Sequence, residues 1–520
     1  MRINYKKCIC IIVLLSVWSL VYFTAYPQYS KIIKNHVLAL LVDKENSLST
    51  TDQLKNAHKY LSNLPLEYWL NNTNKKLELN ETCAKFPSLF DIQFQNLYWQ
   101  NLYSSYGHYQ MFGAYLDNRI ANRLGPTVRI LAMVNQIEPL TRMYCQIWFH
   151  NRQQPVIVQA LQYDLCWPKY FGNYKTGIYQ PYLIPYKIPS EYHNLTVAAV
   201  PLVENQCDTA TNALTVFYNK RTETKLDFAI CVKGMNFLLE DISSILTEWI
   251  EMMTLLGAHK IFLYNFNVHP NVSKVLKYYE DQGRVEVIPL TLPAGQPNTL
   301  FWQHIYLENK VMNKFQGEII PYNDCLYKHM YEYKHIVLVD TDEVIVPLNG
   351  STWQDLLSYL RQAAGTKYDS YNARNVYVFT DLLFTHKRFN DVPEYMHILN
   401  HIRRDPKIEP PGYYIKSFHN TETVLSLHNH FPVYCLHGSK HFTNTVHVSQ
   451  VKVYRNHQNS EKSSEETDGV NEELDLERDA SEQPEAAGAI YVEELTVHKT
   501  PSEQKRMKWV SKYLSDFVLD

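Results

Sequence analysis

The pattern of hydrophobic and polar positions changes along the chain, and from about residue 226 it alternates between two periods. Runs of apolar, often β-branched residues predict four strands, at residues 228–232, 261–264, 285–289 and 334–339. Apolar residues at helical spacing predict three helices between them, beginning near Asp241, Val272 and Asp324. Alternating strands and helices imply a mostly parallel α/β sheet.

A different pattern precedes this region. Short β-prone runs such as Thr127–Val134 and Pro155–Val158 alternate with turn residues and predict a β-rich region packed against the main domain. Near the other end, Glu, Asp and Ser dominate a stretch with few apolar residues, which predicts a disordered acidic insert.

The N-terminus predicts a membrane anchor. Cys8–Ala25 is an uncharged, mostly apolar run of 18 residues, preceded by Arg2, Lys6 and Lys7. A span of about 17–25 such residues can cross a bilayer, and the basic flank should remain cytosolic. A cleaved signal peptide is the alternative, but Tyr26–Tyr29 forms a poor cleavage site. We therefore expect a single transmembrane helix with the bulk of the chain in the lumen.

The predicted organisation follows from these patterns. Its parts are a cytoplasmic tail (1–7), a transmembrane signal-anchor (8–25), a stem (26–85), a β-rich region (86–225), an α/β domain (226–455), an acidic insert (456–490) and a C-terminal helical segment (491–520).

Glycosylation sequons and cysteines agree with a lumenal location. Five Asn-x-Ser/Thr sequons occur, at Asn71, Asn80, Asn194, Asn271 and Asn349. Seven cysteines follow the anchor, and in an oxidising lumen they should mostly pair, leaving one free or bonded to another chain. Cys231 and Cys325 flank the same part of the predicted sheet, so they could form a disulfide or remain two buried thiols.

Composition and missing motifs exclude several classes of function. A formal net charge of −3 argues against a nucleic-acid partner. No G-x-G-x-x-G motif follows the first predicted strand, and no Walker A motif occurs, which disfavours dinucleotide oxidoreductases and P-loop enzymes.

The segment Asp340-Thr341-Asp342-Glu343 is the leading candidate for chemistry. It follows the buried run 334–339 directly, and ligands of open α/β sheets bind beyond the carboxyl ends of the strands. Two carboxylates at i and i+2 can offer oxygens to one hard cation, which can neutralise a departing diphosphate. The alternative is an acidic turn that closes a strand.

Several spaced segments together resemble glycosyltransferase family 92. They are Cys231-Val232-Lys233, Leu255–Asn265, Tyr278–Gly283, Asn323-Asp324-Cys325 and Asp340–Glu343, in the order seen in that family, and the resemblance covers roughly residues 226 to 450. It implies a GT-A-like, Rossmann-type mixed sheet flanked by helices, a nucleotide-sugar donor, Mn²⁺ as the divalent metal, and inversion at the transferred sugar. The characterised members of the family are β-1,4-galactosyltransferases acting on glycan fucose. One departure is Tyr264-Asn265-Phe266, where the family typically has Tyr-Asp-Asn.

Three residues are predicted to hold the metal. Asp342 is expected to contact it directly, and Asp340 to contact it through water or to bind the donor ribose. His428 matches the downstream histidine of the family and would be the third ligand. A hydrogen-bonded loop histidine is the alternative for His428.

Donor contacts are predicted at five positions, and a base at one. The donor-binding candidates are Lys233, Tyr264, Asn265, Asp324 and Asp340, and Lys416 is considered as a further contact with the diphosphate. For Asp324 the beginning of a helix offers a second role, as a capping residue. Asp381 is the candidate base that takes the proton of the acceptor hydroxyl, with Asp391 and Glu394 as competitors.

The resulting hypothesis is a single-pass type II Golgi glycosyltransferase. It would transfer a sugar to a glycan or glycoprotein acceptor in the lumen. Galactose from UDP-galactose is the first candidate for that sugar. A non-catalytic lumenal glycan-binding or scaffold protein with the same fold is the first alternative. A lumenal hydrolase that uses the same metal site is the second.

Overall fold

The computed structural model describes most of the chain between residues 84 and 436 and shorter pieces outside it. The described residues are 61, 63–72, 84–219, 221–347, 350–364, 368–375, 377–380, 393, 395–404, 410, 414–436, 445–449, 451–453 and 490–491. The predicted anchor 8–25, the predicted acidic insert 456–490 except its last residue, the predicted C-terminal helical segment 491–520 except its first residue, and the candidate base Asp381 lie outside these residues. Among the described residues, no helix has both the length and the apolar character that crossing a bilayer requires.

The first sheet is built from the strands that precede residue 218. A short helix, α1 (Leu66–Asn72), comes first. The strands are β1 (Gln100–Ser104), β2 (Gly107–Asp117), β3 (Thr127–Val134), β4 (Tyr144–Phe149), β5 (Val156–Gln159), β6 (Asp164–Leu165), β7 (Gln180–Lys187), β8 (Val197–Val200), β9 (Leu202–Val203) and β10 (Leu214–Phe217). Its main path runs β5-β4-β8-β10-β2-β3-β7-β6. The predicted strand at Thr127–Val134 has the bounds of β3, and every one of its residues is buried.

Helices and strands alternate in the second part of the chain. The helices are α2 (Ser243–Leu256), α3 (Pro270–Asp281), α4 (Leu300–Asn309), α5 (Val311–His329), α6 (Trp353–Ala364) and α7 (His397–Asn400). The strands are β11 (Leu226–Phe237), β12 (Lys260–Val268), β13 (Val285–Pro289), β14 (Tyr333–Leu338), β15 (Glu343–Val344), β16 (Ser370–Arg374), β17 (Tyr377–Thr380), β18 (His401–Arg404), β19 (Lys416–Asn420), β20 (Val424–Leu427), β21 (Pro432–Cys435), β22 (Thr445–Ser449), β23 (Val451–Val453) and β24 (Ile490–Tyr491).

The second sheet is mixed, as predicted. Its order is β13-β12-β11-β14-β19-β16-β22-β24. The first four strands are parallel neighbours, whereas β19 runs antiparallel to both β14 and β16. A mixed α/β architecture is therefore confirmed. The finer assignment to a GT-A-like fold stays a prediction.

Local sequence signals explain where α2 begins and ends. The Asp241 carboxylate accepts a hydrogen bond of 3.0 Å from the backbone N–H of Ser243. The helix ends at Gly257, whose φ of 109° lies in the left-handed region that glycine adopts without steric cost. The face between them buries Leu246, Trp249 and Met253 against the sheet.

The prediction of a helix beginning near Asp324 is wrong. The helix α5 begins at Val311, so Asp324 lies inside it, and the capping role considered for this residue is excluded. The preceding helix α4 was not predicted either. From Glu318 to Tyr327 every residue of α5 is buried. Such a helix has no polar face, so its sequence lacks the regular alternation of apolar and polar residues from which a helix is predicted.

The helix α5 lies between the two sheets. One hydrophobic cluster includes Met111 and Tyr115 of β2, Leu326 of α5, and Cys231 and Phe262 of the second sheet. The described residues of the predicted stem also pack on this body, since a second cluster joins Leu61, Leu64 and Leu66 to Ile92 and Phe94. The two sheets thus share one continuous core through α5.

The expectation that only one cysteine after the anchor remains unpaired is wrong. Cys231 of β11 is bonded to Cys325 of α5, so the disulfide alternative for this pair is the correct one. Cys145, Cys166 and Cys435 are free thiols, the first two fully buried. A buried thiol packs as a small apolar side chain and needs no partner.

Candidate active site

The candidate site forms where β14 ends beside its parallel neighbour β11, which continues to Phe237. Cys231 of β11 lies opposite Leu338, the last residue of β14, so the next residues of β11 lie beside the segment that follows β14. Lys233 and Asp340 come from these two segments, and the Lys233 Nζ lies 3.4 Å from the Asp340 Oδ1. The sheet therefore brings together two of the predicted site residues.

Lys416 supplies the second cation of the site. It begins β19, the antiparallel neighbour of β14, and its side chain is 1% exposed. Its Nζ lies 2.9 Å from the other carboxylate oxygen of Asp340 and 3.3 Å from Glu343. Each oxygen of Asp340 thus faces a different lysine, and the carboxylate is 20% exposed.

Asn429 and Tyr322 complete the surroundings of Lys416. The ammonium donates a hydrogen bond of 2.9 Å to the Asn429 side-chain oxygen. The same oxygen accepts one of 3.0 Å from the hydroxyl of Tyr322, which lies on α5. These partners fix the position of the buried ammonium.

Glu318 approaches the site from α5. Its carboxylate is almost fully buried and lies 3.6 Å from the Lys233 Nζ. Burial raises the pKa of Glu318. Burial by itself would lower the pKa of Lys233, but nearby carboxylates, with Asp340 and Glu318 the strongest, raise it above its ordinary value.

The charges of this cluster do not balance. Four carboxyl groups, those of Glu318, Asp340, Asp342 and Glu343, act on the Lys233 ammonium, and Lys416 is the second cation among them. With all groups ionised, and with Lys314, which also acts on Glu318, counted as a third cation, the cluster carries one formal negative charge in excess. A diphosphate would be repelled from such a cluster unless a cation accompanied it.

A divalent cation with few protein ligands fits this donor set. Among the described residues, no group of three or more His, Cys, Asp or Glu side chains is arranged to enclose a metal ion. Asp342 is half-buried at the same edge. Cations that carry phosphates are often held by one or two carboxylates plus the phosphate oxygens. Asp342 suits that mode of metal binding. Asp340 would have to break one of its salt bridges, to Lys233 or Lys416, before it could bind the cation.

His428 lies one residue from Asn429 but has a different environment. Its ring packs against those of Phe171, at 4.7 Å between ring centroids, and Phe431, at 4.9 Å. Burial, followed by the charges of His430 and Lys416, holds the pKa of His428 well below its ordinary value, so the imidazole is neutral. The buried Nδ1 has no hydrogen-bond partner in the part of the chain that the structure describes. A neutral ring can act as a ligand, but the stacking equally accounts for its burial, and the metal role stays a prediction.

Tyr264 and Asp324 lie in the buried layer between the two sheets. The hydroxyls of Tyr264 and Tyr115 both donate to the Asp324 carboxylate. The Lys328 ammonium donates a third hydrogen bond, of 2.9 Å. Asp324 thus ties β2 of the first sheet to β12 of the second. The predicted donor contacts of both residues are not tested by this arrangement.

Asn265 lies near the carboxyl end of β12, opposite Met235 of β11. Its side-chain oxygen is buried and has no hydrogen-bond partner among the described residues. A buried acceptor without a partner is unfavourable in a native structure, which suggests that a ligand or water supplies the donor. Its predicted contact with the donor nucleotide is consistent with this acceptor.

Sequence reasoning placed Lys233, Asp340 and Asp342 at one edge, and the structure brings them together. It missed Glu318, because the helix that carries it was not predicted at that position. Lys416 was considered only as a diphosphate contact, and no sequence signal indicates its salt bridge to Asp340. Two cavities, of about 390 and 380 Å³, lie elsewhere and include neither Asp340 nor Asp342.

Comparisons with known proteins bear on this cluster. The model of Glycosyltransferase family 92 matches residues 226–485, half of the chain. The Beta-1,4-galactosyltransferase galt-1 of Caenorhabditis elegans is 24% identical over 250 residues, which cover 46% of this chain and 52% of that protein. The chain therefore spans about half the length of this curated relative. The matched family segment contains Lys233, Asp340, Asp342 and Lys416.

Proposed function

This chain belongs to glycosyltransferase family 92, and we propose that it transfers galactose from UDP-galactose to a glycan acceptor. The single observation that carries the proposal is the charged cluster where β14 ends beside β11, in which Lys233 and Lys416 flank Asp340. Transfer with inversion, dependence on Mn²⁺ and a β-1,4 linkage, the last from the name of the relative, are parts of the proposal.

Two lysines, two aspartates and one histidine would receive the donor and its metal. Asp342 would hold Mn²⁺, with Asp340 joining it directly or through water and His428 as a further ligand. Bound there, the metal would neutralise charge on the diphosphate. Lys233 and Lys416 are the cations that could turn from Asp340 toward phosphate oxygens once the donor arrives.

The chemical step is a displacement at the anomeric carbon. The acceptor hydroxyl oxygen forms a bond to that carbon as the bond to the diphosphate oxygen breaks, and the electron pair leaves with UDP. The hydroxyl proton passes to a carboxylate, for which Asp381 is the candidate. Tyr264, Asn265 and Asp324 are proposed to position the donor, and the orphan oxygen of Asn265 could accept from its base or ribose.

The proposed location is the Golgi membrane. Residues 8–25 would form the single-pass type II anchor and place the catalytic domain in the lumen, where UDP-sugars and glycan acceptors meet. Exposed sequon asparagines at positions 71, 194 and 271 are compatible with glycosylation there.

A panel of UDP-sugars tests the proposal. The full-length chain, purified in mild detergent, is incubated with Mn²⁺ and each UDP-sugar, with and without a glycan acceptor, and released UDP is measured. We expect UDP-galactose to give acceptor-dependent release that EDTA abolishes. If no UDP-sugar is turned over and glycan binding is unaffected by EDTA, the result would support the non-catalytic alternative. Equal release of free sugar with and without acceptor would identify a hydrolase.

A further inference from the structure

The two lysines that bond Asp340 are not held equally firmly. The Lys416 ammonium lies 2.9 Å from the Asp340 Oδ2, and its side chain is 1% exposed. It also bonds Asn429 and Glu343. The Lys233 ammonium lies 3.4 Å from the Asp340 Oδ1, and its side chain is 27% exposed. A longer ion pair that is open to solvent is the weaker one, so Lys233 is the partner that Asp340 loses first.

The backbone beside Lys233 is fixed on both sides. Two residues earlier in β11, Cys231 is bonded to Cys325 of α5. One residue later, a Cβ at Gly234 would collide with the ring of Phe266, so the backbone there lies directly against that ring. A change of partner at Lys233 is therefore a movement of its side chain alone.

Glu318 gives Lys233 a second anionic partner. Its carboxylate lies 3.6 Å from the Lys233 Nζ. Glu318 and Cys325 are seven residues apart on α5, or about two turns, so they lie on the same face of the helix. Cys231 and Lys233 likewise point to one face of β11. An ammonium has three N–H groups, so Lys233 can keep Glu318 when it gives up Asp340.

The Oδ1 atom of Asp340 is claimed by two cations. In the proposed function Asp340 joins Asp342 at the metal, yet its Oδ1 faces the Lys233 ammonium. That ammonium would also repel a divalent cation bound to the same carboxylate. A diphosphate removes the conflict, because its oxygens offer Lys233 acceptors of equal or greater charge.

We propose that Lys233 competes with the divalent metal for Asp340 and that the diphosphate of the donor relieves this competition. The proposal rests on the proposed function, since it uses the metal and donor sites assigned there. Lys233 turns from Asp340 to the diphosphate oxygens, while Glu318 keeps the ammonium at the edge of the sheet. Because the coupling of two ligands is reciprocal, UDP and the metal each raise the affinity of the chain for the other.

Mn²⁺ binding by the full-length protein in mild detergent tests the proposal without catalysis. Electron paramagnetic resonance measures free Mn²⁺ in titrations with and without UDP. Asp342→Ala reports the Mn²⁺ that is bound at other places on the chain. A urea midpoint for each variant shows that it is folded.

Three variants separate competition from a simple change in charge. Lys233→Met removes the competing ammonium. Lys233→Met combined with Glu318→Gln removes both charges of that pair, so the net charge is unchanged and no buried carboxylate loses its cation. Lys314→Met is the matched control, because Lys314 acts on Glu318 whereas the ion pairs of Asp340 among the described residues go to Lys233 and Lys416.

We expect the unaltered chain to bind Mn²⁺ about tenfold or more tightly with UDP than without it. Without UDP, Lys233→Met and the double variant should bind Mn²⁺ about tenfold more tightly than the unaltered chain, and both should gain less from UDP. Lys314→Met should change the affinity by about threefold or less.

The outcomes distinguish this proposal from the proposed function. If Lys233→Met and the double variant bind Mn²⁺ no more tightly than the unaltered chain, or if Lys314→Met gains as much as they do, the competition is wrong and the proposed function still stands. If Asp342→Ala binds Mn²⁺ in the presence of UDP as tightly as the unaltered chain, the metal lies elsewhere and both are wrong.

Discussion

Lys416 is the more deeply buried of the two lysines that bond Asp340 in the charged cluster. Its ammonium is buried and is surrounded by the side-chain oxygens of Asp340, Glu343 and Asn429. A buried ion pair adds little net stability as a pair, but removal of one partner leaves the other charge uncompensated. The two carboxylates beside Lys416 would then lose the group that balances them.

Lys416→Met is therefore expected to lower the free energy of unfolding by roughly 3–5 kcal/mol, measured by urea denaturation. Lys334→Ala is the matched control, because Lys334 is 53% exposed and bonds Asp227 at 2.7 Å in solvent. That change should cost less than about 1 kcal/mol. Equal losses in the two variants would contradict the role assigned to Lys416.

Two buried histidines give stability a pH dependence. His335 of β14 and His419 of β19 lie on neighbouring strands. Burial lowers the pKa of His335 to about 4 and that of His419 to about 3. In the unfolded chain both would take up protons near pH 6.5, so their neutral forms favour the native state only above that range.

The free energy of unfolding should therefore fall as pH drops from about 6.5 toward 4. We expect His419→Gln to reduce the loss between about pH 7 and pH 5 by roughly 2 kcal/mol, relative to the unaltered chain. Urea titrations at the two pH values measure it. A variant with the same pH slope as the unaltered chain would show that His419 does not titrate in this way.

At the scale of single residues, the sequence was sufficient for those site residues whose location follows from the end of a predicted strand. Asp340 and Asp342 follow an apolar run whose end could be read directly, so their edge position was predictable. Asp324 was misplaced because its role depends on Tyr115, more than 200 residues earlier in the chain. Contacts at that separation have no signature in a single sequence.

At the scale of elements, the Cys231–Cys325 disulfide connects β11 to α5 across a separation of 94 residues. Lys233 follows Cys231 by two residues, and Glu318 lies on the same helix as Cys325. The bond thus holds the two sides of the Lys233–Glu318 contact in register.

Replacing both cysteines by alanine should lower the free energy of unfolding by roughly 4–5 kcal/mol, because a long closed loop constrains the unfolded chain. Cys435→Ala, at a half-buried free thiol, is the control and should change it by about 1 kcal/mol or less. Chemical denaturation with and without reductant measures both. An unchanged double variant would mean that packing alone fixes α5.

The elements themselves were unevenly predictable. The predicted strand at 285–289 has the bounds of β13, and the helix expected near Val272 is α3. These elements have one polar side, which leaves a clear period in the sequence. The helices α4 and α5 do not, because α5 is buried on nearly all sides and α4 exposes Phe301 and Trp302 to solvent.

At the scale of the whole molecule, the two sheets depend on each other. The family segment begins at residue 226, yet α5 packs on β2, β3 and β7 of the first sheet as well as on β11. A fragment of residues 226–520 would expose the apolar face of α5 that the first sheet covers. The sequence suggested two neighbouring regions, but it did not indicate that one buried helix joins their cores.

We expect the 226–520 fragment to lack a cooperative unfolding transition and to lose near-ultraviolet circular dichroism. The 26–520 fragment, which keeps both sheets, is the control and should keep both properties. Near-ultraviolet spectra and urea titration distinguish them. Cooperative unfolding of the shorter fragment would show that the family segment folds without the first sheet.

The measurement that tests the central claim most directly is acceptor-dependent UDP release by Asp342→Ala. With UDP-galactose, Mn²⁺ and a glycan acceptor, we expect the rate to fall by about 100-fold or more, while the urea midpoint stays unchanged. Asp281→Ala, at an exposed aspartate of α3, is the matched control and should keep full activity. An Asp342→Ala protein as active as this control would contradict the assignment of the strand edge as the site of transfer.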